Sequence, residues 1–122
     1  VDPTIDCQEL YALLGDDELV VVDCRPEDTW DRLPFHIPGA LRMPLVDLYR
    51  SSSVLPEDEL VVLCGSDPDG ADAQRACRML RLRGREAVWL RGGIHAWTSA
   101  GLPTEQHAAA TLRRAGAMPA AR

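Results

Sequence analysis

Cysteine is the residue type in this chain best suited to covalent chemistry, and there are four: Cys7, Cys24, Cys64 and Cys77. Cys64 has the most telling surroundings. It closes the apolar run Leu60–Cys64 and is followed by Gly65, Ser66, Asp67, Pro68, Asp69, Gly70 and Ala71, a stretch rich in turn formers. A thiol placed between a buried strand and a helix start can act as a nucleophile, because the helix dipole and unpaired N–H groups favour its thiolate. The same N–H groups can cradle an anionic sulfur adduct. The plain alternative is a buried strand-end cysteine with no chemical role. Cys24 follows Asp23 at the end of a second apolar run and is a candidate resolving thiol able to form a disulfide with Cys64. Cys77 falls among Ala73, Ala76 and Leu80 at helical spacing and reads as a core residue, while Cys7 reads as an ordinary first-turn residue. Neither a C-x-x-C pair nor a Cys/His cluster at zinc spacing occurs, so no metal and no cofactor are expected.

Positioning these residues requires a sheet. Leu19–Asp23 (LVVVD) and Leu60–Cys64 (LVVLC) are Val-rich continuous runs of the kind buried on both faces in a parallel sheet. Glu86–Leu90 is a third strand candidate, Ala40–Met43 a fourth, and Thr4–Ile5 an edge candidate. Helices are expected from a capping box at Asp6 and Glu9 to Gly15, over Glu27–Arg32 and Leu45–Tyr49, over Ala71–Arg83 closed by Gly84, and over Ile94–Ala100 closed by Gly101. Alternation of strand and helix implies right-handed crossovers and a doubly wound parallel sheet, whose ligands sit beyond the carboxyl ends of the strands. Asp23, Cys64 and the Arg91-Gly92-Gly93 turn occupy those ends.

At 122 residues, with 46% hydrophobic and 26% charged residues, the chain suits one soluble domain with a full core. No apolar run approaches the roughly 20 residues of a membrane span, and no signal-peptide pattern is present. Starting at Val1, the chain reads as a processed form or an excised piece. Residues 1–72 hold 17 acids against four arginines, and residues 73–122 hold nine arginines against two acids. Net charge is −6, which argues against nucleic acid as a partner. Four cysteines in a chain that needs no disulfide suggest a reducing, cytoplasmic setting.

Read in order, Asp23-Cys24-Arg25-Pro26-Glu27, His36-Ile37-Pro38-Gly39-Ala40, Cys64 at a strand end, Gly92-Gly93-x-x-x-Trp97 and Gly101-Leu102-Pro103 resemble the rhodanese-like domains. The resemblance spans about residues 4 to 103. It implies an α/β fold: a single rhodanese-like domain at 1–103, with a central parallel sheet of about five strands and helices on both faces. Residues 104–122 would form a C-terminal tail or a short docked helix. It further implies a sulfurtransferase of the thiosulfate sulfurtransferase kind, or a persulfide carrier. Its Cys64 would take a sulfane sulfur from a small sulfur-containing donor and pass it to a thiol or cyanide-like acceptor. By the same resemblance, Asp23 and Arg25 would brace the loops around the pocket. His36 and His95 fall in family motifs as turn and packing residues, and Trp89 and Trp97 read as core aromatics.

The loop after Cys64 departs from the family pattern, being longer and free of arginine. Asp67, Asp69 and Asp72 would raise the thiol pKa and repel anionic donors. Turn formation explains Asp67 and Asp69 equally well, and an aspartate at the loop's end would cap the next helix. Arg75 and Arg78 could restore positive potential or lie on a solvated helix face. Two alternative functions remain open: a non-catalytic sensing or docking module joined to a fused or partner protein domain, and a cysteine-dependent phosphatase of related fold.

Overall fold

The computed structural model describes residues 3–66 and 70–107. Its central sheet has five parallel strands in the order β1-β6-β5-β2-β4, formed by Thr4–Ile5 (β1), Leu19–Asp23 (β2), Leu41–Arg42 (β4), Leu60–Cys64 (β5) and Ala87–Leu90 (β6). The longest strands, β2 and β5, lie side by side and run in register from Leu19 opposite Leu60 to Asp23 opposite Cys64. Their continuous apolar character follows from burial on both faces.

One face packs against α3 (Leu45–Ser51) and α4 (Ala71–Leu82), through Val22, Val61 and Leu63 meeting Leu48, Ala73, Ala76, Cys77 and Leu80. The other packs against α1 (Cys7–Leu13) and α5 (Gly93–Ser99), through Val21, Val62, Cys64 and Leu90 meeting Leu10, Ile94 and Trp97. Strand alternation thus feeds two separate cores. Helix α2 (Glu27–Arg32) follows β2. The capping box forms as expected, Asp6 accepting from the Glu9 N–H at 2.8 Å and Glu9 from the Asp6 N–H at 3.0 Å.

Three elements were not anticipated: β3 (Phe35–His36), a short 3₁₀ turn at Ser52–Val54, and β7 (Glu105–Gln106), which pairs antiparallel with β3. The stretch from Thr104, expected as a helix or a tail, therefore begins as a strand; residues 108–122 lie outside the described residues. Two-residue strands carry too few positions for a hydrophobic period to show. Among the described residues, no helix is long and apolar enough to cross a membrane.

Candidate active site at the end of the central strand

Cys64 closes β5 at the carboxyl edge, wholly buried. Its carbonyl accepts the Cys24 N–H at 3.0 Å and the Cys24 thiol at 3.5 Å, while its own thiol is directed to the Gly65 carbonyl at 3.9 Å. Burial is the main cause that pushes the Cys64 thiol well above its ordinary pKa. The Asp23 carboxylate adds to this, and Arg25 opposes it. Asp72 acts instead on Cys24, whose thiol is also raised, again chiefly by burial. Among the described residues, the acidic influence on Cys64 comes from the strand-end Asp23 across the register. Asp67, Pro68 and Asp69 lie outside the described residues.

The structure places Cys24 and Cys64 at one sheet edge, but on different faces. Cys24 belongs to the core under α3 and α4, and Cys64 to the core under α1 and α5. A one-residue offset between neighbouring strands has this effect. Cys7, read as an ordinary helix residue, shares the Cys64 core, and all four cysteines are free thiols. Helix α4 packs its apolar side on the face opposite Cys64 and α5 on the Cys64 side, while the backbone nitrogen of Ala73, in the first turn of α4, lies 3.3 Å from where a Cβ on Gly65 would stand.

Asp23 and Arg25 form a buried pair: Arg25 Nε donates to both Asp23 oxygens at 2.9 and 3.0 Å, and its terminal nitrogen lies 2.9 Å from Oδ2. The guanidinium continues to the carbonyls of Leu33 at 3.3 Å and Phe35 at 2.9 Å. Arg42, which gave no signal in the sequence, donates to the carbonyls of Asp23 at 3.2 Å and Arg25 at 2.6 Å. This arginine network fixes the turn after β2 to the strands that follow.

Glycines set the walls of the Cys64 loop. Gly70 is the N-cap of α4, in the left-handed region at φ 74°, so the expected aspartate cap is replaced by a residue without a side chain. A Cβ at Gly70 would run into the Trp89 ring. Gly93, at φ 58°, sits so close to the Gly65 carbonyl that a Cβ would overlap it, and the next N–H, of Ile94, donates to that oxygen at 3.0 Å. The Gly92-Gly93 doublet, read in the sequence only as a strand-end turn, is the feature that could have signalled this approach. At the same sheet edge a cleft of about 390 Å³ opens beside Cys24, Glu27, Pro44, Leu45 and Asp72. No group of three or more His, Cys, Asp or Glu residues suited to a metal occurs among the described residues.

A parallel sheet covered on both faces, with a cysteine closing its central strand, defines an α/β domain with a strand-end thiol. The chain belongs to the rhodanese-like domain family, which it matches over residues 6–100. It is 37% identical over 103 residues to a sulfurtransferase of Allochromatium vinosum, covering 81% of this chain and 91% of that protein. It is 33% identical over 91 residues to an HTH-type transcriptional regulator of Mycobacterium tuberculosis, covering 75% of this chain and 39% of the regulator. Among solved structures, the rhodanese-like domain of an Anabaena protein aligns with a TM-score of 0.71 at 33% identity, covering 87% of this chain and 80% of that one. A thiosulfate sulfurtransferase of Pseudomonas aeruginosa aligns at 0.73 and 30% identity, covering 88% of this chain and 20% of that one.

Proposed function

We propose that this domain is a sulfurtransferase or persulfide carrier in which Cys64 holds the transferred sulfur. The observation that carries the reading is Cys64 itself, which ends the central strand at the edge where doubly wound sheets bind ligands. Its family and its similarity to a sulfurtransferase support the same chemistry. The Cys64 thiolate attacks the outer sulfur of a sulfane donor, forming an S–S bond as the donor's own bond to that sulfur breaks and its remainder leaves with the electron pair. An acceptor thiolate then attacks the terminal sulfur and regenerates the Cys64 thiolate. The residues from Gly65 to Ala71 are proposed as the loop around the adduct, with Asp23 and Arg25 bracing it. Cys24 is proposed as a resolving thiol; from the opposite face it reaches Cys64 only if the strand end moves.

The test is intact-protein mass spectrometry of reduced protein treated with thiosulfate and, separately, with glutathione persulfide. Expected is a gain of one sulfur atom on Cys64, lost in Cys64→Ser. Failure with both donors, with the thiol shown free by alkylation after unfolding, would refute the assignment.

A second reading, a non-catalytic sensing or docking module, is favoured by one observation: the Cys64 thiol is fully buried and pushed toward its protonated form. The relationship to a regulator of which this chain spans 39% fits that role. Under it, reduced protein gains no sulfur from either donor, and the full-length gene is expected to encode a further domain.

A further inference from the structure

Helix α4 carries a stripe that the sulfur chemistry does not use. Ala71, Gln74, Arg75, Arg78 and Leu82 recur three or four residues apart, which places them along one side of the helix. With Met79, and with Tyr49 from α3, they line a groove of about 610 Å³. Its apolar parts are unusually open: Leu82 is 83% exposed and Tyr49 47%. Three arginines, 75, 78 and 83, border it, and none of the described residues that line it is acidic, in a chain with 19 acids and a net charge of −6. Arg75 meets Asp72 at 3.7 Å, one helical turn away, yet remains 66% exposed. Such a surface pair contributes little and leaves the guanidinium able to share an incoming carboxylate.

We infer that this groove docks an acidic, amphipathic segment of a partner protein. Tyr, Met and Arg are the residue types enriched where proteins meet, and Asp and Glu are depleted there, which matches this lining. A helix whose apolar side enters such a groove presents its acids to the flanking cations, a common mode of peptide recognition. The groove is preformed: Arg83 donates to the Tyr49 carbonyl at 3.1 Å and to Ser52 Oγ at 2.8 Å, and Arg85 donates to the carbonyls of Ser52 at 3.1 Å and Leu55 at 2.7 Å. Locking α3 to α4 in this way lowers the cost of ordering on binding. The groove also reaches Ala71, the first residue of α4. The inference goes beyond the sulfur-transfer reading and holds whether or not Cys64 turns over.

The test is fluorescence anisotropy with a labelled helical peptide bearing leucines at i, i+3, i+4 and i+7 and glutamates elsewhere. A lysine counterpart, decanoate and anionic phosphatidylserine vesicles serve as competing probes. The acidic peptide is expected to bind and to weaken as salt is raised. Its affinity should fall about tenfold in the double variant Arg75→Glu, Arg78→Glu and again in Leu82→Asp. All three positions are exposed, so an unchanged thermal midpoint verifies folding. Equal binding of the lysine peptide, indifference to the charge reversal, capture of decanoate or vesicles instead, or self-association through this face would each overturn the inference.

Discussion

At the scale of single residues, desolvation governs Cys64. A thiol with no exposed surface and the Asp23 carboxylate nearby stays protonated at neutral pH. Alkylation of Cys64 in the folded protein should therefore accelerate about tenfold per pH unit from about pH 7 to about pH 9. Iodoacetamide kinetics followed by peptide mapping would measure it, and a plateau below about pH 8 would show a thiolate already formed. Gly93 gives a backbone prediction. Gly93→Ala adds a side chain where the Gly65 carbonyl stands, at a φ that only glycine adopts freely, and should lower stability by about 1–3 kcal/mol in urea unfolding. The Gly-Gly doublet was legible as a turn at a strand end, but nothing in the sequence said which carbonyl it would meet. Likewise Asp23 and Arg25 were legible as a strand-end pair. Arg42 was not, because its role depends on which carbonyls the fold brings within its reach.

At the scale of elements, the β3–β7 ribbon is a clasp made of rings. His107 stacks on Trp30 with centroids 3.6 Å apart, places its Nδ1 2.9 Å from Nδ1 of His36, and sets its Nε2 2.8 Å from the Trp30 carbonyl. Arg25 and Arg42 lie over the same Trp30, and Glu105 sits 3.4 Å from His36. Burial, with smaller contributions from His36 and Arg25, lowers the His107 pKa against opposing contributions from the Trp30 carbonyl and Asp23. The unfolded chain therefore takes up this proton first as pH falls below about 6.5, so the stability His107 confers is complete above that value and declines below it. The urea midpoint should drop as pH falls from about 6.5 to about 5, and His107→Phe should reduce the drop. An equal drop in the variant would assign it to other groups. This clasp escaped the sequence because its strands are two residues long and its partners lie some 70 positions apart.

At the scale of the whole molecule, two cores back to back hold all four thiols, and three of them, Cys7, Cys24 and Cys64, are pushed above the ordinary range chiefly by burial. Unfolded cysteines lose their protons from about pH 8.5 upward while the folded protein keeps them, so stability is whole below that pH and falls above it. Together with His107 this predicts a stability plateau between about pH 6.5 and about pH 8.5, measurable as thermal midpoints across buffers. Cys24→Ala should soften the alkaline fall, and a profile flat to about pH 10 would contradict it. The sequence by itself determined the alternation of elements, the two Val-rich strands, the Asp6 capping box and the place of Cys64 at a strand end. Each of these is local, written in periodicity and turn chemistry over a few residues. Tertiary structure alone decided that Cys24 and Cys64 face different cores, that Asp23 rather than Asp72 acts on Cys64, and that Arg75 and Arg78 border a groove. Those outcomes depend on strand register and helix placement, through which residues far apart in the chain come within a few ångströms of one another.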